Sequence, residues 1–384
     1  MNKLRKELQE ISESISSPNI VVIGRTGAGK SSLINVVFGE ELAKTGAGLP
    51  VSNAFIRYPK STNDKSLVVI YDSAGYEMGK ENQFKQDVFN FINEKKSVNI
   101  EEQIHLVWYV VHAGLKRFEH FDADIIKMLQ NERVPVLIII SQCDIARAEE
   151  INKIEEDINN YTVNKKLNKF DIIRISAFPI HGEPFGVKQL VDKTVSLLPE
   201  LYSEAFIARQ IVNLEIKRKQ AVKYINFAAV ACFATGFVPI PFTSPTATIA
   251  AQTTLCKQIA SLYGYAEWVE ILDQVGNFTI TSIITYVTTS AFDLLSFMFP
   301  PGSLITGGLA GTAAAAYLVV VGFTYLSVFD KLTHQDLNGA GKAEIEEFIK
   351  NNFKKEFKRF SEKIKINSIK DLENLEEILK KEGV

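Results

Sequence analysis

The chain has 384 residues, more than one typical domain, so we expect two domains that can each bury a core. Its formal net charge of −2 excludes a strong overall attraction to nucleic acid. The three cysteines lie far apart, which indicates neither a disulfide framework nor a metal site, and we expect a reduced, cytoplasmic location.

Residues 1–17 are predicted to form an amphipathic helix that ends before Pro18. Charges run through this segment and it has no long apolar core, so we do not expect a secretory signal. The helix either docks on the rest of the protein or lies on a membrane surface. Its apolar residues recur at helical spacing and are Met1, Leu4, Leu8, Ile11 and Ile15.

Residues 18–202 alternate between apolar, strand-like runs and charged segments with helical periodicity. Several apolar runs, such as those at 19–24 and 134–141, have no polar face, which is typical of strands buried on both sides. We therefore predict an α/β domain with a mainly parallel sheet between helices.

The segment 24–31 reads GRTGAGKS and lies between a predicted strand and a predicted helix, as a phosphate-binding loop (P-loop) requires. Its glycines let backbone N–H groups converge on phosphate oxygens, and the start of the helix adds a favourable dipole. We expect Lys30 to reach the β- and γ-phosphates and the Ser31 hydroxyl to bind Mg²⁺. The residues predicted to hold the nucleotide here are Gly24, Arg25, Thr26, Gly27, Ala28, Gly29, Lys30, Ser31 and Ser32.

A D-x-x-G motif follows, with Asp72 at the end of a predicted strand and Gly75 three positions later. We expect Asp72 to reach Mg²⁺ through a water molecule and the Gly75 N–H to contact the γ-phosphate. Families with motifs of this kind use a threonine in the segment before the next strand, here at 53–58, to close on Mg²⁺ when the γ-phosphate is bound, and the resemblance implies a hydroxyl in the same place. Ser52 is the first candidate and Thr45 the competing one, although Ser52 could simply begin the strand.

Two later motifs indicate which base is bound. Asp144 ends the run Ser141-Gln142-Cys143-Asp144, which resembles the base-recognition motif N/T-K-x-D of GTPases. An aspartate at that place can accept two hydrogen bonds from guanine that adenine does not offer. Ser176 and Ala177 follow the next predicted strand, where the GTPases that these motifs resemble have a short S-A loop that touches the guanine oxygen. The predicted base contacts are therefore Gln142, Asp144, Ser176 and Ala177.

The order and spacing of these four motifs resemble the translation-factor-related P-loop GTPases, and "GRTGAGKSS" with "HLVWYVV" looks most like their Era-like and immunity-related branches. The resemblance covers about residues 18–202 and implies GTP or GDP with Mg²⁺ as ligands. Two positions depart from the family pattern. Gln142 replaces a lysine that covers the base, and Ser141 replaces Asn or Thr, so guanine affinity is expected to be modest.

Hydrolysis is expected to be slow. In Ras-like proteins a glutamine after the D-x-x-G glycine orients the attacking water, whereas this chain has Tyr76 there, followed by Glu77. We expect a partner or a second copy of the domain to accelerate turnover. Arg25, Glu77 and Arg117 are the candidates for transition-state contacts, and Arg117 could instead anchor its own loop. The full set of predicted catalytic residues is Lys30, Ser52, Asp72, Gly75, Arg25 and Glu77.

A charged, helical linker is predicted over 203–223, followed by an all-α hydrophobic domain over 224–330. No charged residue occurs at 224–256 or at 294–329, and such stretches are long enough to cross a bilayer. The best spanning candidate is Ser303 to Phe323, and the second is Ile225 to Val238. The flanking basic residues would place both ends on the cytosolic side. The alternative is a bundle whose apolar helices bury one another.

The second half also resembles the YcjF-type hydrophobic domain that follows GTPase domains in bacteria. The resemblance covers about residues 222–330 and is carried by "GFVPIPFTSPTATIAAQTTLCKQIASLYG" and "FPPGSLITGG". It implies an output at or in a membrane and no particular substrate.

The basic tail over 331–384 is predicted to be an amphipathic helix. It either packs on the helical domain or contacts an anionic membrane. Its apolar stripe consists of Ile345, Phe348, Ile349, Phe353, Phe357, Phe360 and Ile364.

These patterns together predict a membrane-associated GTPase whose helical domain changes with the bound nucleotide. The predicted partners are a guanine nucleotide, a membrane, and a second G domain or an activating protein; no nucleic acid is indicated. Two alternatives stay open. One is a nucleotide-gated scaffold with little hydrolysis, and the other is a membrane-perturbing effector restrained by its nucleotide domain.

Overall fold

The computed structural model describes residues 16–39, 42–43, 55–60, 67–76, 79–98, 101–164, 167, 169–180, 182–234, 245–265, 309–334, 342–364, 366 and 369–381. Two compact units are present, one ending at Asn213 and the other beginning at Leu214. The predicted helix over 1–17 lies outside the described residues except for its last two positions.

The first unit is an α/β domain, as predicted. Its sheet has six strands in the order β2-β3-β1-β4-β5-β6, and only β2 runs antiparallel to its neighbour. The elements are β1 (Asn19–Gly24), α1 (Lys30–Phe38), β2 (Phe55–Tyr58), β3 (Val69–Ser73), α2 (Glu81–Val98), β4 (Leu106–His112), α3 (His120–Asn131), β5 (Val136–Ser141), α4 (Ala148–Asn164), β6 (Asp171–Arg174), α5 (Val187–Leu197) and α6 (Glu200–Arg209).

Helices cover both faces of this sheet, which explains why its central strands are apolar on both sides. Successive side chains of a strand point to opposite faces. Tyr109 therefore packs in the core formed with α2, α3 and α4, whereas its neighbour Trp108 stacks near Phe38 of α1 and Phe206 of α6. Every residue of β1 and of β5 is buried.

The boundary between the units divides the segment 203–223 that we predicted as a linker. Phe206 is fully buried and meets Phe38 edge to face with 5.9 Å between ring centroids. Arg209 also donates a hydrogen bond to the Phe38 carbonyl. Residues up to Asn213 are thus part of the α/β unit, because their apolar side chains complete its core.

The second unit is helical in its described part, as predicted. Its main helices are α7 (Leu214–Ala234), α8 (Pro245–Leu262), α9 (Leu309–His334) and α10 (Lys342–Lys363), with two short helices at Ile369–Leu372 and Leu375–Lys381. Helix α9 lies at the centre and contacts α7, α8 and α10.

Polar groups inside the helical unit pair with one another. Arg218 forms a two-pronged ion pair with Asp330 at 2.9 and 2.6 Å. Buried Glu356 accepts from Lys331 at 2.5 Å and from Ser327 at 3.2 Å. Since a buried charge is costly unless paired, these contacts show why helices with such long apolar runs can carry charged residues in the interior of a bundle.

One helix among the described residues is long and apolar enough to cross a membrane, at Ala315–His334, and 89% of that window is buried within the protein. It overlaps the predicted span Ser303–Phe323 only in part, and residues 303–308 lie outside the described part. Of the second predicted span, residues 225–234 belong to α7 and the rest is not described. This degree of burial is typical of a core helix.

The apolar stripe of the tail packs against α9, which was one of the two alternatives for it. Phe360 meets Phe323 at 5.9 Å between ring centroids, and Phe353 meets Tyr325 at 5.2 Å. The side chains of Ile349, Phe353 and Phe360 are each at most 1% exposed. The stripe therefore belongs to the core of the helical unit.

Candidate nucleotide site

The glycine-rich loop runs from the end of β1 to the start of α1, as predicted. Gly27 and Gly29 adopt left-handed backbone angles with φ of 81° and 84°, which glycine tolerates best. Gly24 is needed for a different reason. A side chain there would lie 2.3 Å from the Val110 carbonyl oxygen of the neighbouring strand β4.

Lys30 is buried at the base of this loop. Its Nζ donates to the carbonyls of Gly24 and Arg25 at 3.2 and 3.1 Å. Burial lowers the pKa of its ammonium group, and the nearby Asp72 carboxylate partly offsets this effect. A Cβ at Gly75 would lie only 2.8 Å from Nζ, so the structure brings together the two groups predicted to contact the γ-phosphate.

Ser31 and Asp72 meet beside Lys30. The Ser31 hydroxyl donates to Asp72 Oδ2 at 2.7 Å, while the buried Asp72 Oδ1 has no hydrogen-bond partner among the described residues. Burial raises the pKa of Asp72, and the Ser31 hydrogen bond and the Lys30 charge oppose that rise. A hydroxyl and a carboxylate with one free oxygen are suitable donors for Mg²⁺, so the residues present fit this ion. Ser52, Thr45 and Glu77 lie outside the described residues.

Tyr76 is held at both its backbone and its side chain. Its carbonyl accepts from the Thr26 N–H at 3.2 Å and from the Thr26 hydroxyl at 3.3 Å. Its hydroxyl donates to Asp122 Oδ1 at 2.6 Å, and the residue is only 5% exposed. The position after Gly75 therefore offers no free polar group to orient a water molecule, in line with the expected lack of a Ras-like route. No motif in the sequence marks Asp122.

The two described arginine candidates both pair with Glu119. Arg25 lies 3.7 Å from Glu119 Oε1, and Arg117 lies 2.9 Å from the same oxygen. The Arg117 side chain is 65% exposed, whereas that of Arg25 is 19% exposed. Arg117 thus pairs with a residue of its own loop, whereas Arg25 belongs to the P-loop itself; the catalytic roles of both stay predictions.

The base-recognition segment at the end of β5 is tied to the P-loop. The Ser141 hydroxyl donates to the Ala28 carbonyl at 2.7 Å and to the Val111 carbonyl at 3.2 Å. Gln142 has a left-handed φ of 54°, and its amide donates to the Gly27 carbonyl at 3.3 Å. Ser141 and Gln142, the two residues that depart from the family pattern, therefore hold the P-loop in place.

Asp144 lies against the loop that follows β6. Its Oδ1 accepts from the Ser176 hydroxyl, and its Oδ2 accepts from the Ile180 N–H at 2.9 Å. Ala177 follows Ser176 directly, so the structure brings the predicted base contacts together. No motif in the sequence indicated that Ile180 would contact this carboxylate.

All these groups meet at one edge of the sheet because the carboxyl ends of parallel strands lie together. A strand–loop–helix turn with Lys30 and Ser31, a D-x-x-G turn and a base-recognition aspartate at that edge define a class of protein. The N-terminal unit is a P-loop GTPase domain with a mainly parallel sheet.

Comparison with known proteins agrees with this class. Residues 19–142 match the family model of a 50S ribosome-binding GTPase. GTPase Era of Caldanaerobacter subterraneus subsp. tengcongensis is 26% identical over 213 residues, which is 54% of this chain and 66% of that relative. GTPase Era of Clostridium kluyveri is 24% identical over 218 residues, or 55% of this chain and 69% of that relative.

The match thus spans about two thirds of the length of these Era relatives. The match to a solved structure titled as a probable GTP-binding protein engB covers 47% of this chain and 97% of that chain, at 20% identity and a TM-score of 0.33. The domain therefore has Era-like relatives at low identity. The resemblance of residues 222–330 to the YcjF-type domain is not confirmed and stays a prediction.

Proposed function

We propose that this protein binds GTP with Mg²⁺, hydrolyses it slowly to GDP and phosphate, and changes its helical unit at a membrane according to the bound nucleotide. The observation that carries the enzymatic part is the meeting of Ser31 and Asp72 at 2.7 Å, beside Lys30 and Gly75. These four groups supply the charges and donors that a triphosphate needs.

Each residue has a role that follows from its chemistry. Lys30 neutralises charge on the β- and γ-phosphates, and the loop N–H groups bind the phosphate oxygens. Bound at Ser31 and Asp72, Mg²⁺ would supply further positive charge to the phosphates. The Asp144 carboxylate accepts hydrogen bonds from guanine once its own loop partners yield to the base.

Turnover is proposed to be slow without a partner. The hydroxyl of Tyr76 is engaged by Asp122, so this side chain does not act on water. Arg25 lies in the P-loop, and the one ion pair that it forms with a described residue is a long contact of 3.7 Å to Glu119, which an incoming carboxylate or phosphate can replace. A second G domain or an activating protein would complete the site.

The membrane part of the proposal rests on composition. The charge-free stretches at 224–256 and 294–329 are unusually long, and α9 contains a segment of spanning length. Because α9 is mostly buried and its bundle contains the Arg218–Asp330 ion pair, we propose surface association or a nucleotide-dependent rearrangement rather than permanent spanning. The expected location is cytoplasmic and membrane-associated.

The enzymatic proposal is tested with the full-length protein. Calorimetry should detect GTP and GDP binding with Mg²⁺, no binding of adenine nucleotides, and no binding by the Lys30→Ala variant. Phosphate release per molecule should rise with protein concentration in a dilution series. Equal affinity for ATP, or binding that survives in Lys30→Ala, would contradict the proposal.

Membrane association is tested separately by cell fractionation and carbonate extraction. Surface association predicts recovery in the membrane fraction and release by carbonate, with a different distribution in the presence of GDP and of a non-hydrolysable GTP analogue. Resistance to carbonate would indicate a span. Recovery only in the supernatant, with either nucleotide, would refute the membrane part while leaving the enzymatic part intact.

The Tyr76–Asp122 contact favours a second candidate, a nucleotide-gated scaffold that scarcely hydrolyses GTP. Single-turnover kinetics separates the two, because a scaffold keeps its GTP bound and unhydrolysed at every protein concentration. The membrane-perturbing alternative predicts dye leakage from anionic vesicles that differs between GTP and GDP.

A further inference from the structure

Two tyrosines and one aspartate form a buried cluster beside the D-x-x-G turn. The hydroxyls of Tyr76 and Tyr109 each donate to Asp122 Oδ1 at 2.6 Å, and the Glu119 N–H donates to Oδ2 at 3.1 Å. Asp122 is 5% exposed, and Tyr109 is fully buried. Both carboxylate oxygens are thus satisfied inside the protein.

The two tyrosines differ in what they connect to Asp122. Tyr109 lies in the middle of β4 and joins the sheet to α3. Tyr76 directly follows Gly75, and its carbonyl accepts two hydrogen bonds from Thr26 of the P-loop. Through Tyr76, Asp122 therefore holds the turn that contains Gly75. Through Tyr109, it holds only the sheet.

The space around Gly75 makes the position of this turn critical. Gly75 has a left-handed φ of 84°, and any Cβ there would lie 2.8 Å from Lys30 Nζ and from the Thr26 nitrogen. The backbone N–H predicted to meet the γ-phosphate thus lies in a close-packed site. A small displacement of Tyr76 would move that N–H relative to the phosphate chain.

We propose that Asp122 is a positioning residue that, through Tyr76, places the Gly75 N–H for the γ-phosphate and so determines the preference for GTP over GDP. The inference rests on the proposed function, since it requires guanine nucleotides to bind. A turn that is already in place binds the γ-phosphate without an ordering cost. GDP has no group at Gly75, so its affinity does not depend on this turn.

The experiment compares Tyr76→Phe with Tyr109→Phe in the full-length protein. Each change removes one 2.6 Å hydrogen bond to the same oxygen, so both variants should lose similar stability in urea unfolding. We compare the affinity for a non-hydrolysable GTP analogue with the affinity for GDP, and only Tyr76→Phe should lower the ratio of the first to the second. The expected decrease is about tenfold, the size of effect that a charge-assisted hydrogen bond produces. The affinity for GDP should stay unchanged in both variants.

Asp122→Asn provides a second variant that keeps the shape of the side chain and weakens the hold on Tyr76. Its affinity ratio should fall in the same direction. The inference is overturned if Tyr109→Phe lowers the ratio as much as Tyr76→Phe, or if Tyr76→Phe or Asp122→Asn leaves it unchanged. If the wild-type protein binds no guanine nucleotide, the proposed function itself fails, which is a distinguishable outcome.

Discussion

Ser31 and Asp72 lie 41 positions apart in the sequence and share a 2.7 Å hydrogen bond at the junction of α1 and β3. The contact leaves Asp72 Oδ1 buried and without a hydrogen-bond partner in the described part of the chain. Such an orphaned carboxylate oxygen is costly in a stable fold unless a ligand uses it. The pair is therefore the part of the site to which we assign the proposed Mg²⁺.

The Asp72→Asn variant should lose the dependence of nucleotide affinity on Mg²⁺. The amide keeps the shape of the side chain but has no charge for the cation, and we expect affinity in Mg²⁺ to fall by about 10- to 100-fold. Titration of a fluorescent GDP with and without Mg²⁺ measures this effect.

Ser73→Ala is the matched control for Asp72→Asn. The Ser73 hydroxyl is buried with no partner among the described residues, so its removal should leave stability unchanged or raise it by about 1 kcal/mol. Affinity in Mg²⁺ should be that of the wild type. An equal loss in both variants would show that the effect is not specific to the carboxylate.

Asp144→Asn should lower GTP affinity by at least about tenfold, because the amide accepts fewer of the guanine N–H hydrogen bonds. Xanthine nucleotides carry a carbonyl where guanine carries its amino group, so the variant should bind them better than the wild type does. Calorimetry with the two nucleotides measures the exchange of preference. Unchanged GTP affinity would mean that Asp144 serves only to hold Ser176 and the Ile180 loop.

The stability of the α/β unit should fall as the pH drops through the range set by His105. Its Nδ1 accepts the Asn19 N–H at 2.9 Å, and burial lowers the pKa of His105 to about 4. The unfolded chain takes up the proton near pH 6.5, so it binds more protons than the folded state between these values. The stabilisation that neutral His105 contributes is therefore complete above pH 6.5 and is lost as the pH falls toward 4.

His105→Phe tests this pH dependence. The His105 ring packs on that of Tyr202 with 3.8 Å between ring centroids. Phenylalanine keeps an aromatic ring there and does not titrate. The urea midpoints of the α/β unit should differ less between pH 7 and pH 5 in the variant than in the wild type. Hydrogen exchange read by mass spectrometry follows this unit separately from the helical one. An equal change of the urea midpoint in the variant and in the wild type would contradict the assignment of this pH dependence to His105.

A larger residue at Gly322 in α9 should destabilise the helical unit, and the cause is Ile225 in α7. A Cβ at Gly322 would lie 2.5 Å from Ile225 Cγ1. Alanine gains about 1 kcal/mol of helix propensity, whereas overpacking costs about 1–3 kcal/mol, so Gly322→Ala should destabilise the helical unit. In an Ile225→Ala background the same change should stabilise it. Unfolding of the wild type, the two single variants and the double variant forms a double-mutant cycle, and an unchanged sign would refute the contact.

The tail should behave as part of the helical core. Phe360 is fully buried against α9, so Phe360→Ala should cost about 3–5 kcal/mol. Reversing the exposed charges with Lys354→Glu and Lys355→Glu should change stability by only about 0.5 kcal/mol. Chemical denaturation measures both. A tail that contacts lipid instead would show the opposite pattern, with little loss from Phe360→Ala and a large loss of vesicle binding from the charge reversals.

The motifs predicted which groups the structure brings together at the P-loop, because the spacing within each motif is local. The spacing of Lys30 and Ser31 within one loop, and of Asp72 and Gly75 within one turn, is set by a few consecutive residues. The contacts between distant segments were not predictable in the same way. Asp122 looked like an ordinary residue of the first turn of α3, and only the fold brings it to Tyr76.

Sequence by itself determined the α/β class, the P-loop and the hydrophobic character of the second half, since these depend on the order of residue types along the chain. Only the tertiary structure decided that α9 is buried by neighbouring helices in the described part and that the tail stripe faces it. The physical reason is that an apolar side chain leaves water equally well for lipid or for protein. Whether lipid or protein buries such a side chain therefore depends on packing in the folded chain, which no local sequence pattern encodes.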